Sequence, residues 1–367
     1  MASSLADDLL AWYDSQAVAL PWRARDADPL PERAYHVWLS EIMLQQTQVE
    51  TVKPYYARFL NAYPTIKDLA AAPLADVLKL WEGLGYYSRA RNLHKAAIQV
   101  VEKFGGAFPQ TTAELLSLPG IGRYTAGAIA SIAYGVAAPV LDGNVIRVYS
   151  RLFDVADDVL LPSTQAKLWQ MAEDFLPETR PGDYNQALMD LGRLICKPRA
   201  PLCKGCPVQQ HCLAYARNTQ DSRPVKAKKP QTPHYQVTAG LIWNERGELL
   251  IAQRPPDGLL GGLWEFPGGK QEASETLQAC LHRELQEELN IDVAIGELFA
   301  VVKHAFTHFR ITLHAFNCRY HDDSGEPEAL GVADWAWVMP DDLERYAFGK
   351  ADRQVIAHLR SRNGMLL

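Results

Sequence analysis

Long apolar runs are missing from this chain: no stretch approaches the ~18–20 consecutive apolar residues that a membrane-spanning helix needs. The opening MASSLADDLLAWYDSQ carries acids where a secretion signal needs bases, and it has no apolar run of signal length, so the chain is expected to stay inside the cell. Cysteine is scarce, with six in 367 residues, which excludes a disulfide scaffold. Four of the six nevertheless crowd into 196–212, a pattern that points to metal ligation in a reducing compartment. An excess of positive charge is also lacking: the formal net charge is −6, which weighs against a uniformly basic nucleic-acid binder. Local clusters remain, at Lys197, Arg199 and Lys204 near the cysteines and again at Arg223, Lys226, Lys228 and Lys229; the second reads equally as a solvated linker or as phosphate contacts. There is no internal repeat.

What is present is an ordinary globular balance, 48% apolar and 22% charged, in a chain long enough for two or three domains. Residues 1–217 read as helical. Apolar residues recur at helical spacing in 34–52, 74–81, 90–103, 113–116, 123–134, 145–153, 164–175 and 184–195, with Gly and Pro punctuating between them. Residues 218–233, NTQDSRPVKAKKPQTP, hold three prolines and four basic residues and read as a linker. From 234 to 367 the period changes. Strand-like runs at 235–243, 248–254, 292–302 and 310–320 alternate with helical runs at 274–289, 340–346 and 351–360, which predicts an α+β domain. Cys280 and Cys318 fall there and read as core residues.

Several local patterns carry chemistry. Cys196-x6-Cys203-x2-Cys206-x5-Cys212 can enclose zinc or an iron–sulfur cluster. Only Cys203 and Cys206 form a tight knuckle, and the wide outer spans favour the larger group. Leu118-Pro119-Gly120-Ile121-Gly122, within 115–134, offers a tight turn before a helix start, where free N–H groups suit an anion; by itself it is equally an inter-helix turn. Glu41 stands seven residues after Ala34, four after Val37 and three after Trp38. On a helix it therefore falls on or at the edge of the apolar stripe, and burial there would raise its pKa toward that of a general acid. Asp142 precedes a helix as an N-cap, and amide donors there are expected to lower its pKa and keep it ionised. Two carboxyls pushed apart in this way suit glycosidic cleavage, which needs a proton on the leaving group and a negative charge near the sugar.

Taken together, SEIMLQQTQVETV, GLGYYSRARNLHKAA, LPGIGRYTAGAI, LDGNVIRV, NQALMDLG and the four-cysteine spacing resemble, in order, the MutY family of the helix–hairpin–helix glycosylases over residues 20–215. The resemblance implies base-excision repair on double-stranded DNA, with removal of adenine mispaired with 8-oxoguanine or guanine, and a [4Fe–4S] cluster on Cys196, Cys203, Cys206 and Cys212. It implies that Glu41 is the acid that protonates the departing adenine. Asp142, with Asn144 beside it, is then the carboxylate that steadies the cationic sugar. Tyr124 stands where bifunctional relatives carry a nucleophilic lysine, so no efficient strand cleavage is expected. The hairpin glycines Gly120 and Gly122 would grip the DNA backbone. Gln46 would wedge into the duplex, with Thr47, Leu84 and Tyr86 near the opposite, damaged base, while Trp22 and Arg23 would line the adenine pocket. Gln186 occupies a position that can be glutamate in relatives, and the stretch after Arg23 is longer than usual for the family.

Gly269-x5-Glu275-x7-Arg283-Glu284-x2-Glu287-Glu288-x-Asn290-Ile291 nearly spells the Nudix box, with Asn290 for its glycine. Glu284, Glu287 and Glu288 would share one helix face suited to Mg²⁺. Phe306-Thr307-His308 resembles the family's lesion-probing loop, with Thr for Ser. The expected architecture is therefore multidomain: an all-α helix–hairpin–helix domain with an iron–sulfur loop, followed by a Nudix-like α+β domain that recognises 8-oxoguanine. The expected setting is cytoplasmic (at the nucleoid in a bacterium), without a membrane partner, and as a monomer. Two rivals are a pyrimidine glycosylase/lyase and a Nudix nucleotide pyrophosphohydrolase tethered to DNA by the helical domain.

Overall fold

The computed structural model describes residues 2–16, 19–23, 29–227, 232–321 and 325–363. Two compact units result, one from Met1–Ala71 with Asn92–Lys229, the other from Ala72–Arg91 with Pro230–Leu367.

The first unit is helical. Its elements are α1 (Ala2–Gln16), α2 (Leu30–Leu44), α3 (Val49–Ala62) and α4 (Ile66–Ala71). After α5 (Leu74–Trp81), which belongs to the second unit, come α6 (Ser88–Phe104), α7 (Thr112–Leu115) and α8 (Arg123–Ala128), prolonged by a π-helical turn over Ile129–Ala133. α9 (Gly143–Leu152), α10 (Pro162–Asp174), α11 (Pro181–Leu194) and α12 (Leu213–Ala216) complete it. The single helix expected over 34–52 is two helices. The polar stretch Gln45–Gln48 has no apolar side chain to bury, and Gln46 turns the chain with φ 57°. A core of Leu9 from α1, Val145, Val148 and Tyr149 from α9, Leu168 from α10 and Leu188 and Leu191 from α11 fixes the latter half. Close approach is written into the glycines here. A Cβ on Gly127 would lie 2.2 Å from the Pro139 carbonyl oxygen, and one on Gly182 would lie 2.5 Å from that of Ser131. The segment read as a linker is held against this unit up to its described end. Val159 N donates to the Val225 carbonyl, and Arg151 Nε donates to those of Gln220 and Arg223.

The second unit is a mixed six-stranded sheet between helices. Its strands are β1 (His234–Trp243), β2 (Leu249–Gln253), β3 (Trp264–Glu265), β4 (Val293–Ala305), β5 (Arg310–Tyr320) and β6 (Asp334–Val338), and its helices are α13 (Leu277–Leu289) and α14 (Lys350–Asn363). The order is β3-β2-β1-β5-β4 with β6 also on β2; β1 and β5 run parallel from His234↔Arg310 to Trp243↔Arg319, and the other pairs are antiparallel. The period of two decides which helix each strand residue meets. Leu241, Leu249 and Ile251 pack with Val355 and Leu359 of α14, whereas Ile242, Leu250 and Ala252 pack with Leu281, Leu285 and Leu289 of α13. The helix expected at 340–346 is a 3-10 turn over Pro340–Arg345. Residues 72–91 join this unit through named bonds. Lys79 Nζ donates to the Tyr346 carbonyl (2.9 Å), Phe348 N donates to Glu82 Oε1 (2.9 Å), and Arg91 Nη1 donates to the Gly261 carbonyl (2.6 Å).

No helix among the described residues is long and apolar enough to cross a membrane.

Candidate active site

A cavity of about 930 Å³ opens in the helical unit, and Glu41, Tyr124 and Asp142 line it together. Glu41 lies on the buried side of α2, 6% exposed, and burial is the main reason its pKa is pushed up to about 7. The anionic neighbour Asp142 pushes in the same direction; the Tyr124 hydroxyl, which donates to Glu41 Oε2, opposes it, as does the positive charge of Arg23. That hydroxyl also lies 3.2 Å from Met189 Sδ. Burial, reinforced by Glu41 and Asp142, holds the Tyr124 pKa well above the usual range, so the phenol stays a neutral donor.

Asp142 is the N-cap of α9, as its place in the sequence suggests. Its carboxylate accepts from Asn144 N (3.0 Å), Val145 N (2.8 Å) and Asn144 Nδ2 (2.8 Å). The expected direction of its pKa is overturned. Burial outweighs these donors and the Arg147 charge, and the carboxyl is pushed up instead of down. The bonds therefore limit the cost of burying this carboxylate without reversing it.

Trp22, Arg23, Gln46, Thr47, Gly122, Asn144 and Gln186 also line this cavity. Trp22 meets Tyr56 edge-on. In the hairpin, Gly120 has φ 74°, and a Cβ there would fall 2.7 Å from Asn92 Cβ, so both conformation and space require glycine. Gly122 has ordinary φ and nothing within 4 Å of an added Cβ; its smallness leaves open space at the start of α8. Leu84, Tyr86, Phe306, Thr307 and His308 lie in the second unit. There the Tyr86 and Thr307 hydroxyls are 2.6 Å apart, and Phe306 meets His304 edge-on and lies tilted against Phe309. The loop after Arg23 lies outside the described residues over 24–28.

Sequence reasoning missed three side chains. Arg147, one turn beyond Asn144 on α9, donates from Nη2 to Asn144 Oδ1 (2.8 Å) and from Nε to the Cys196 carbonyl (2.7 Å). Arg151, a further turn on and fully buried, donates to the Lys197 carbonyl (2.7 Å) and to Cys196 Sγ (3.2 Å). Their shared helical spacing was the available signal. The third, Asp190, faces the cavity from α11.

Cys196, Cys203, Cys206 and Cys212 all line one apolar cavity, walled by Val148, Leu152, Leu191, Ile195 and Val208. Among the described residues no three Cys, His, Asp or Glu side chains are arranged to hold a single metal ion. Four thiols lining one space supply the soft sulfur donors that either zinc or an iron–sulfur cluster takes. Arg151, reaching Cys196 Sγ, places a positive charge where four thiolates would need one.

The Nudix-box residues occupy α13 and its approach. A Cβ on Gly269 would fall 2.2 Å from the carboxyl carbon at the end of the Glu284 side chain, which would have to turn aside. Asn290 ends the helix with φ 52°, the conformation the box's glycine would supply. On the helix face expected to suit Mg²⁺, Arg283 pairs with both Glu284 (3.0 Å) and Glu287 (3.1 Å), and no three metal-ligating side chains converge on a single ion there among the described residues. Burial, first, and the neighbouring Glu284 push Glu288 up to about 7.

Two family descriptions match the chain. "HhH-GPD superfamily base excision DNA repair protein" covers residues 39–173, and "NUDIX domain" covers residues 238–358. The human protein named adenine DNA glycosylase is 40% identical over 401 residues, covering 95% of this chain and 72% of that protein. The Schizosaccharomyces pombe protein of the same name is 31% identical, covering 92% and 85%. Among solved structures, a thermostable thymine-DNA glycosylase superposes with TM-score 0.52 at 29% identity, covering 59% of this chain and 97% of that one.

Proposed function

We propose the reaction of this chain from one premise: it belongs to the adenine DNA glycosylase family. It is a DNA glycosylase of base-excision repair, built from a helix–hairpin–helix glycosylase domain and a Nudix domain. In our reading its substrate is double-stranded DNA in which adenine faces 8-oxoguanine or guanine, and its products are free adenine and an abasic strand.

The observation that carries this reading is the pairing of carboxyls in one cavity, with Glu41 held near pKa 7 by burial beside the neutral phenol of Tyr124. An acid poised near the working pH can give up a proton in the transition state. Adenine, flipped into the cavity, takes that proton from Glu41 at N7 and leaves with the glycosidic electron pair. The sugar becomes cationic next to Asp142, whose charge is spread over the α9 amides and Asn144. Water adds to the sugar and its proton returns to Glu41. Tyr124 offers an oxygen where strand cleavage would require an amine, so the backbone stays intact.

Around this centre, Trp22 and Arg23 border the base, Gln46 enters the duplex with Thr47 near the opposite base, and the Gly120–Gly122 hairpin holds its phosphates. Leu84, Tyr86, Phe306, Thr307 and His308 read the opposite base. Cys196, Cys203, Cys206 and Cys212 would hold a [4Fe–4S] cluster, whose ligation would tie the loop to the helical unit. Residues 1–71 and 92–217 form the catalytic part, 218–233 the connection, and 72–91 with 234–367 the lesion-reading part; one copy of the chain suffices.

The test uses a labelled duplex with adenine opposite 8-oxoguanine, analysed with and without hot alkali. Breaks only after alkali are expected. Breaks without alkali would refute the role given to Tyr124, and no breaks in either lane would refute the glycosylase reading.

A further inference from the structure

One face of α11 looks into the cavity through Gln186, Met189, Asp190 and Arg193, spaced at i, i+3, i+4 and i+7. Asp190 is the unexpected member. Its side chain is 4% exposed, and each of its oxygens takes a different guanidinium. Oδ2 accepts from Arg23 Nη1, and Oδ1 accepts from Arg193 Nη2 at 3.0 Å. Arg23 also lies with its guanidinium carbon 5.7 Å from the centre of the Tyr13 ring. The two partners differ in stiffness. Arg23 sits on an irregular turn after α1, held locally by its N–H to the Leu20 carbonyl (2.9 Å), whereas Asp190 is fixed by the buried helix α11.

We propose that Asp190 is a positioning residue, which turns the planar guanidinium of Arg23 so that its remaining N–H donors face the acceptor edge of the base to be removed. This rests on the reading of the cavity as the adenine site and deepens it. A guanidinium presents its donors in a rigid plane, so its orientation decides which base edge it can meet. Ring nitrogens of adenine are acceptors; a base that offers an N–H at the same place would meet donor against donor. The orientation also keeps a positive charge near Glu41, whose pKa Arg23 lowers. Asp190 neutralises part of the charge of the two arginines, so the pocket that admits a neutral base is not strongly cationic.

The test is a double-mutant cycle on adenine release, measured in single turnover with protein in excess, alongside duplex binding. Asp190→Asn is expected to slow release by about tenfold or more while duplex affinity changes by less than about threefold. In an Arg23→Ala background the same substitution is expected to add less than about twofold, because the side chain it orients is gone. Effects that multiply would overturn the proposal and leave Asp190 a general support of α11. Should Asp190→Asn fail to fold, Arg23→Lys decides. It keeps the charge opposite Asp190 but not the plane, and it is expected to slow release nearly as much as Arg23→Ala. A normal rate in Arg23→Lys would show that a point charge suffices and would overturn the proposal. No release by the unaltered protein would instead overturn the glycosylase reading beneath it, so the two failures are told apart.

Discussion

Replacing Glu41 by Gln should destroy activity and, at the right pH, raise stability. The folded protein holds the Glu41 proton up to about pH 7, whereas the unfolded chain releases it near the ordinary 4.5. Between those values the folded state binds more protons, so stability is lost as pH rises through the window. At ~1.4 kcal/mol for each pH unit, the cost carried by the native protein above pH 7 is about 3 kcal/mol. Glutamine is nearly isosteric, can still accept from Tyr124, and has no charge to desolvate. At ~2–4 °C per kcal/mol for a unit of this size, Glu41→Gln should melt several degrees higher at pH 8 and about equally at pH 4.5. Adenine release should fall by about 10²- to 10⁴-fold, the usual worth of a general acid. In the unaltered protein the rate should decline about tenfold per pH unit above 7. The assays are thermal unfolding at the two pH values and single-turnover release across pH 5–9. A variant that melts lower at pH 8 than at pH 4.5, relative to its parent, would refute the argument that this carboxyl is poised by burial, and undiminished release would refute its role as the acid.

Other substitutions follow from the same reasoning. Arg151→Leu strands the Lys197, Gln220 and Arg223 carbonyls and should cost about 3 kcal/mol or more, with loss of visible iron–sulfur absorbance from the purified protein. Gly269→Ala meets only the end of the flexible Glu284 side chain, which can turn aside, so thermal melting should show the second unit within about 1 kcal/mol of its parent. Asn290→Ala puts a side chain that disfavours φ 52° at the end of α13 and removes the bond to Glu328, lowering stability by about 1 kcal/mol by denaturant titration, whereas Asn290→Gly should keep most of it.

What could be read in advance was whatever depends on neighbours within a turn or two. The stripe that carries Glu41, the cap at Asp142, the helix end at Asn290 and the four-cysteine spacing are all local. Each stands where its pattern puts it. The sign of the Asp142 shift was not legible, because the donors are two and three residues away while the burial that outweighs them comes from the packed unit. Asp190 looked like any acid on a helix, since its partner Arg23 is 167 residues distant. The break at Gln46 was hidden by the good helical period on either side of it. The grouping of 72–91 with the C-terminal residues rests on bonds spanning 170 to 267 residues, from Arg91 to Gly261 and from Lys79 to Tyr346. The Nudix box shows the opposite case. Its Gly269 and Glu284 are fifteen positions apart in a fixed motif, and the motif's spacing is itself a contact, since glycine is what lets that carboxyl lie against the chain. The carboxylates expected to face Mg²⁺ carry a partner of their own. The motif brings Arg283 along with its glutamates, and in this chain the arginine engages two of them itself. A recognised pattern therefore carries its geometry reliably. The chemistry assigned to that geometry still depends on which side chain each group is paired with once the chain has folded.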